Sequence, residues 1–170
     1  KIHRASHRME RMIRDLLDYA SIDSGQLSIH TRTQDVHSVI DETLSSFEAI
    51  ARVRNIDLHK VVPADMPPVT CDRDRILQVT SNLVGNALKV VPAGGSVVVR
   101  ACRQGDEVVV SVVDTGPGIS EYDQGLLFER YWRGRETRYR GTGLGLGIAR
   151  GIVMAHGGRM WVESQLGHGA

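Results

Sequence analysis

The sequence is poor in cysteine, in aromatic residues and in net charge. The chain of 170 residues carries two cysteines, 5% aromatic residues and a formal net charge of +1. Cys71 and Cys102 stand apart, with no CxxC pair, so we expect reduced thiols in a cytoplasmic protein rather than disulfides. A near-neutral charge argues against nucleic-acid binding, because that binding depends on a basic surface that neutralises phosphates.

Long apolar segments are also missing. The longest run without a charged residue covers only positions 76–88, whereas a helix that crosses a bilayer needs about 20 apolar residues. We therefore expect no membrane contact in this piece. The chain begins with Lys1 rather than Met and shows no signal peptide, so we expect it to be part of a longer protein, whose membrane anchor, if any, lies elsewhere. With 41% hydrophobic and 24% charged residues, the composition is that of a folded globular domain.

The first segment has a heptad pattern. Two rows of residues recur every seven positions and predict a helix from Lys1 to about Asp23, which ends at Ser24-Gly25. The rows are Ile2, Met9 and Leu16, and Ala5, Met12 and Tyr19. Such a seam favours pairing with other helices, from a second chain or from absent sequence. The alternative is an amphipathic helix that lies on its own domain.

The rest of the chain alternates between helical and strand periods. The predicted elements are a helix from Asp35, a strand over 56–62, a proline loop, a helix over 72–91, a hairpin of 97–99 with 108–113, a short helix capped by Ser120, a helix from about Leu144 to Gly157-Gly158, and a closing strand over 159–163. The chain ends, on this interpretation, before a final strand. Positions 133–142 have no apolar period.

Three segments carry polar groups or bare backbone at the ends of buried elements. The first is on the predicted helix 72–91, where Asn82, Asn86 and Lys89 share one face. A buried asparagine is costly unless its amide is satisfied. An amide oxygen also suits Mg²⁺, and a lysine one turn away suits a phosphate. The alternative is that both asparagines bond to neighbouring backbone.

The second segment, Asp114-Thr115-Gly116-Pro117-Gly118-Ile119, follows an all-valine strand. A carboxylate at this place can accept a hydrogen bond from an exocyclic amine, and two glycines allow a planar ring to approach the backbone. An ordinary turn between strand and helix is the other interpretation.

Glycine is the abundant residue, with 18 in the chain, and the third segment is the densest cluster. Gly141-Thr142-Gly143-Leu144-Gly145-Leu146-Gly147 opens a helix, where alternating glycines present N–H groups to an anion. The segment is neither a Walker loop, since no Gly-Lys-Ser/Thr follows, nor a dinucleotide fingerprint, since the spacing differs. We favour phosphate binding over simple flexibility.

Taken together and in this order, the segments resemble the catalytic and ATP-binding domain of bacterial sensor histidine kinases, in the Bergerat-fold ATPase and kinase superfamily. Positions 72–89 look like the N box, 114–119 the first glycine box, 127–131 the F box and 141–147 the second glycine box. Positions 1–25 are similar to the second helix of the dimerisation and histidine-phosphotransfer bundle, and 26–170 to the catalytic domain. The resemblance implies an α/β (α+β) fold, a two-layer sandwich of a mixed β-sheet with helices on one face, preceded by a bundle helix.

The resemblance also implies residue roles. Asn86 would chelate the Mg²⁺ that bridges the ATP phosphates, with Asn82 and Lys89 near them. Asp114 would bond the adenine amino group. Gly116, Gly118 and Ile119 would lie against the base. Phe128 would anchor a lid over the nucleotide, from which Arg133 would reach the γ-phosphate. The residues implied for the phosphate tail are Gly141, Thr142, Gly143, Leu144, Gly145 and Leu146.

The implied activity is phosphoryl transfer from ATP to a histidine, for relay to a response-regulator aspartate, in a kinase that dimerises through its N-terminal helix. Related ATPases have a glutamate at the place of Asn82, so its absence favours transfer over hydrolysis. No histidine box is present: neither His3 nor His7 has its motif, so we expect no phosphoacceptor in this chain.

A second departure is Val90, where the family has an aromatic ring that would stack on adenine. It motivates an alternative function, a degenerate scaffold or docking module without nucleotide. A protein-serine kinase of the anti-sigma-factor type is a further alternative, which the heptad helix disfavours.

Overall fold

The structure is a computed structural model that describes residues 2–129 and 143–170, with most side chains before position 12, including those of His3 and His7, outside the described part. In chain order the elements are α1 (Ile2–Asp23), β1 (Arg32–Gln34), α2 (Val36–Val53), β2 (Asp57–Val61), β3 (Val69–Cys71), α3 (Arg73–Val90), β4 (Ser96–Gln104), β5 (Glu107–Asp114), α4 (Glu121–Leu126) and α5 (Gly145–Ala155). No helix among the described residues is both long and apolar enough to span a membrane.

The main sheet is mixed, as the resemblance implied. Its strand order is β2-β4-β5, with β2 parallel to β4 and β4 antiparallel to β5. The predicted hairpin is confirmed: Gln104 pairs with Glu107 across a two-residue turn in which Gly105 has a φ of 63°. That left-handed conformation favours glycine.

A second, two-stranded sheet was not predicted. β1 and β3 pair antiparallel over three residues each, and β3 lies in the stretch that the sequence analysis assigned to a proline loop. Strands this short have no measurable period, so their pairing depends on tertiary contacts.

Aspartates fix the beginnings of the two long helices. The Asp35 carboxylate accepts from the N–H groups of His37 and Ser38, and the Asp72 carboxylate accepts from Arg75 and, across the chain, from His30. Burial alone would raise the pKa of Asp72, but these backbone donors hold it below its ordinary value. The predicted helices from 35 and 72 are thus confirmed to within a residue.

The principal core lies between the sheet and helices α2 and α3. It is built from aliphatic residues of which several have no exposed surface, among them Val84, Val97 and Val99. Two hydroxyls meet in this layer. The Thr43 and Thr80 oxygens are 2.7 Å apart, and one hydroxyl donates to the other, which donates to a carbonyl of its own helix.

A second core joins α1, α3 and α5, and it shows which part of the first helix lies on its own domain. Tyr19 and Ile22 pack with Val79, Ile148 and Ile152, so the last turns of α1 lie on the domain. The preceding apolar residues remain 47–64% exposed; they are Met9, Met12, Ile13, Leu16 and Leu17. The interpretation of a helix that lies on its own domain is therefore confirmed for the last turns of α1, and pairing of its exposed first half with other helices stays a prediction.

One predicted strand is wrong. Positions 159–163 carry no strand assignment and belong to no sheet in the described part of the chain; a strand requires a neighbour with which it exchanges backbone hydrogen bonds. Their link to β5 is through side chains, an ion pair of 2.9 Å between Arg159 and Glu107.

Candidate functional site

The three chemistry-bearing segments converge on one cleft. It is a long groove lined by the second half of α3, the length of β5, the beginning of α5 and residues 156–163. The hydrogen bond from Asn82 to Gly145 and the close approach of Gly116 to Val90 bring the three segments together. The predicted residues that line this cleft are Asn82, Asn86, Lys89, Asp114, Gly118, Ile119, Phe128, Gly143, Gly145 and Leu146. Arg133, Gly141 and Thr142 lie outside the described residues.

Helix α3 presents its polar face to this cleft. The Lys89 ammonium donates to Asn86 Oδ1 at 2.9 Å, and Asn82 Nδ2 donates to the carbonyl of Gly145 at 3.1 Å. Asn82 therefore ties α3 to the glycine loop. For this residue the alternative of an asparagine bonded to backbone is confirmed, and the backbone belongs to α5. A side chain at Gly145 would bring its Cβ within 3.3 Å of Asn82 Oδ1, so the glycine keeps this approach open.

Asp114 ends β5 in a half-buried position. Burial raises the pKa of this carboxyl above its ordinary value, and the N–H of Gly116, which donates to Oδ1 at 2.7 Å, opposes the rise. A Cβ on Gly116 would lie 2.7 Å from the same oxygen and 3.1 Å from Val90 Cγ2. The glycine thus brings the carboxylate, the loop backbone and Val90 close together.

The loop after Asp114 is braced by residues that the sequence analysis missed. Ser164 Oγ accepts from the N–H of Ile119 at 2.8 Å, and Gln124 Nε2 donates to the carbonyls of Ile119 and Ser164, both at 2.9 Å. Gly118 has a φ of 74° and is so close to the chain at Gln165 that a Cβ would lie 2.0 Å from that carbonyl oxygen. In the sequence, the only sign of this brace is the pair of glycines near the end of the chain, Gly167 and Gly169.

The N-terminus of α5 lines the cleft. Gly143 has a φ of 73°, and Leu144 at the cap position makes no side-chain cap bond. The first N–H groups of a helix lack acceptors within it, and the helix dipole adds partial positive charge there. Gly145 and Leu146 begin the helix beside Asn82, so this end is suited to an anion.

Two flanking contacts support the site. The Arg54 guanidinium donates to the carbonyls of Leu88 and Lys89, the latter at 3.4 Å, and so holds the C-terminal turn of α3. The Arg150 guanidinium lies 5.4 Å from the centre of the half-buried Phe128 ring, a cation–π contact.

The donor set fits a hard cation held jointly with phosphate. Among the described residues no three His, Cys, Asp or Glu side chains come together as a metal site. Asn86 offers an amide oxygen at the cleft, its partner being the flexible Lys89 side chain. Mg²⁺ is commonly held in this way, by one or two protein oxygens with substrate phosphates and water.

Residues 71–170 match the family described as histidine kinase-, DNA gyrase B-, and HSP90-like ATPases. The chain belongs to this ATPase family. Membership, together with the kinase relatives described next, confirms the resemblance to the catalytic ATP-binding domain of sensor histidine kinases and the mixed α/β fold that it implied.

Known relatives agree with this assignment. The chain is 36% identical over 159 residues, 92% of its length, to the adaptive-response sensory kinase SasA of Synechocystis sp., of which it spans 42%. Two solved structures are also similar. Full-length ShkA in complex with AMPPNP has a TM-score of 0.88 at 26% identity, covering 98% of this chain and 35% of that one. Histidine kinase ThkA in complex with response regulator protein TrrA has a TM-score of 0.76 at 26% identity, covering 99% and 46%.

Proposed function

We propose that this chain binds Mg·ATP in the cleft between α3, β5 and α5, and supplies the γ-phosphoryl group to a histidine that lies on the dimerisation bundle outside this chain. The observation that carries the proposal is that Asn86 and Lys89, the N-terminus of α5 and the Asp114 carboxylate line one cleft. That cleft offers a phosphate-binding half and a half suited to an amino-bearing base.

Each residue then has a physical task. Asn86 would hold the Mg²⁺, which supplies charge neutralisation at the phosphates when bound. Lys89 and the first amides of α5 bind the phosphate tail, and Asp114 accepts from the adenine amino group. Catalysis in phosphoryl transfer is largely positioning and electrostatic stabilisation, so a protein that presents these groups on two helices and one strand end is suited to it.

Replacing Asn86 by alanine tests the phosphate half. We expect ATP affinity measured by calorimetry with Mg²⁺ to fall about tenfold or more, because a metal-holding oxygen is lost, while affinity without Mg²⁺ changes little. Gln26→Ala, which removes an exposed amide, serves as the control. Equal magnesium dependence in Asn86→Ala and the parent would contradict the assignment.

The base half is tested at Val90. We expect Val90→Tyr to raise ATP affinity by about threefold to tenfold, since Val90 lies beside Gly116 and an aromatic ring there can stack on adenine. Val61→Tyr, at an exposed position on β2, controls for a general effect of the ring. A Val90→Tyr protein that binds ATP no better than the parent would place the base elsewhere.

Val90 is also the observation that favours the second candidate, a scaffold or docking module that binds no nucleotide. Failure to detect binding at millimolar ATP, in the parent and in Val90→Tyr, would favour this scaffold. A phosphorylated product that survives acid would instead indicate phosphoserine, and with it a serine kinase on the same fold.

The intact protein is proposed to act as a homodimer with a response regulator as its partner, in the cytoplasm. The support is the apolar row on the first half of α1, which is about half exposed or more, together with two unbridged thiols. ThkA, which is similar over 99% of this chain, is described in complex with a response regulator.

A further inference from the structure

The last two turns of α1 are docked on the helices that carry the candidate nucleotide site. Tyr19 and Ile22 belong to the second core with residues of α3 and α5. The docking therefore connects α1, which carries the exposed apolar row, to the helices of the cleft. Two details of the contact fix the position of α1 on α3 and α5.

The first detail is a polar clamp around Asp18. This carboxylate is only 7% exposed, in a helix whose neighbouring residues Leu16 and Leu17 are mostly exposed. Arg75 Nη1 donates to its Oδ1 at 2.7 Å and Gln78 Nε2 donates to its Oδ2 at 2.6 Å. Arg75 Nη1 also donates to Gln78 Oε1 at 3.1 Å. The three side chains are thus hydrogen-bonded to one another, so a slide of α1 along α3 would break these hydrogen bonds.

The second detail is a notch in α5. Gly151 lies in the middle of that helix, where glycine is unfavourable, and Ile22 fills the space that a side chain would occupy. A Cβ on Gly151 would be 2.5 Å from Ile22 Cγ2. The clamp fixes α1 on α3, and the notch fixes it on α5.

Both contacts lie on the elements that form the cleft. Arg75 and Gln78 are on the first turns of α3, and Asn82 and Asn86 follow on the same helix. Gly151 lies two turns after Gly145, whose carbonyl accepts from Asn82. Because α3 and α5 are joined at this bond and packed along their length, a displacement of α1 acts on both at once.

We propose that Asp18 is a positioning residue that couples the position of α1 to nucleotide affinity. With the clamp closed, α3 and α5 are held in the arrangement that binds Mg·ATP. A shift of α1, caused by helices that pack on its apolar row, opens the clamp and weakens binding. The inference rests on the proposed function. By linkage, bound nucleotide must stabilise the docking of α1 by the same factor.

The test compares three variants with the parent. Asp18→Ala opens the clamp, Asp18→Asn keeps its shape without the charge, and Gly151→Ala fills the notch without touching a charge. Asp65→Asn, an exposed carboxylate in a loop, is the control. Affinity for an ATP analogue with Mg²⁺ is measured by calorimetry, and amide hydrogen exchange is followed in residues 18–25 and 82–89, with and without the analogue.

We expect Asp18→Ala and Gly151→Ala to bind the analogue about fivefold to tenfold more weakly, Asp18→Asn to be intermediate, and the control to match the parent. Exchange should be faster in both segments of the two stronger variants, and the analogue should slow exchange in residues 18–25 of the parent. A role confined to stability would speed exchange in residues 18–25 alone.

The coupling is overturned if residues 18–25 exchange faster while affinity and exchange in residues 82–89 stay within twofold of the parent. If the parent binds no nucleotide, the proposed function fails and the coupling to affinity fails with it. If the parent binds while Asp18→Ala and Gly151→Ala bind equally well, the proposed function stands and the coupling alone is refuted.

Discussion

Replacing Gly118 by alanine is expected to lower the free energy of unfolding by about 3 kcal/mol. A non-glycine residue in the left-handed region costs about 1–2 kcal/mol, and forcing a methyl group into a packed place costs a further 1–3 kcal/mol. Here the methyl would meet the Gln165 carbonyl oxygen at 2.0 Å. That backbone cannot withdraw easily, because the N–H of Gly167 donates to the Pro117 carbonyl at 2.7 Å.

Urea unfolding with a matched glycine separates the two contributions. Gly157 has nearly the same φ, 77°, but nothing lies near its missing side chain. Gly157→Ala should therefore lose only about 1–2 kcal/mol. Equal losses in the two variants would mean that the close approach at Gln165 carries no energetic weight. The loop at Gly118 borders the cleft, so ATP affinity should fall in this variant and not in Gly157→Ala.

Asp114→Asn is expected to weaken ATP binding without lowering the free energy of unfolding. The change removes a charge-assisted hydrogen bond to the base and should weaken ATP binding about tenfold to hundredfold. The same change removes a carboxylate whose ionisation is opposed by burial, while an amide oxygen can still accept from Gly116. The free energy of unfolding at pH 7 should therefore be equal to that of the parent or higher.

The pH dependence follows from the raised pKa of Asp114. A carboxyl whose pKa is raised in the folded state stabilises the fold at low pH, and this contribution is lost as the pH rises through the folded-state pKa. Binding has the opposite sign, because the ionised form accepts the bond to adenine, so affinity should fall on acidification at a higher pH than for an ordinary aspartate. Asp114→Asn should lack both effects.

Titrating ATP at several pH values and unfolding the protein at each tests both signs. Asp106→Asn, in the exposed hairpin turn, controls for the loss of one charge. An Asp114→Asn protein that binds ATP as tightly as the parent would refute the adenine assignment.

Elements with a sustained period and a cap could be predicted from the sequence. Helices α2 and α3 begin after Asp35 and Asp72, whose carboxylates bond to the first helical amides, and this information is local. The hairpin was predictable in the same way, because runs of valine flank a glycine turn. The polar face of α3 and the glycine segments identified the cleft, since residue type and spacing alone limit what such segments can bind.

Contacts between distant residues were not predictable. The bond between Asn82 and Gly145, the brace of Ser164 and Gln124, and the clamp of Asp18 each join positions between 40 and 63 residues apart. Single polar side chains have no period, and their partners are chosen by the fold. The error at 159–163 has the same origin, because a short apolar segment becomes a strand only beside another strand.

The outer edge of β5 is expected to affect how the protein behaves in concentrated solution. Within the described part of the chain, this strand pairs with β4 on one side, and on the other a single backbone bond joins the Asp114 N–H to the Ala170 carbonyl. Between Val108 and Val113 the strand has no charge and no proline, so it lacks the features that commonly prevent edge-to-edge association. The Arg159–Glu107 ion pair places charge at one end only, and the valine-rich remainder is where intermolecular β-pairing and aggregation would begin.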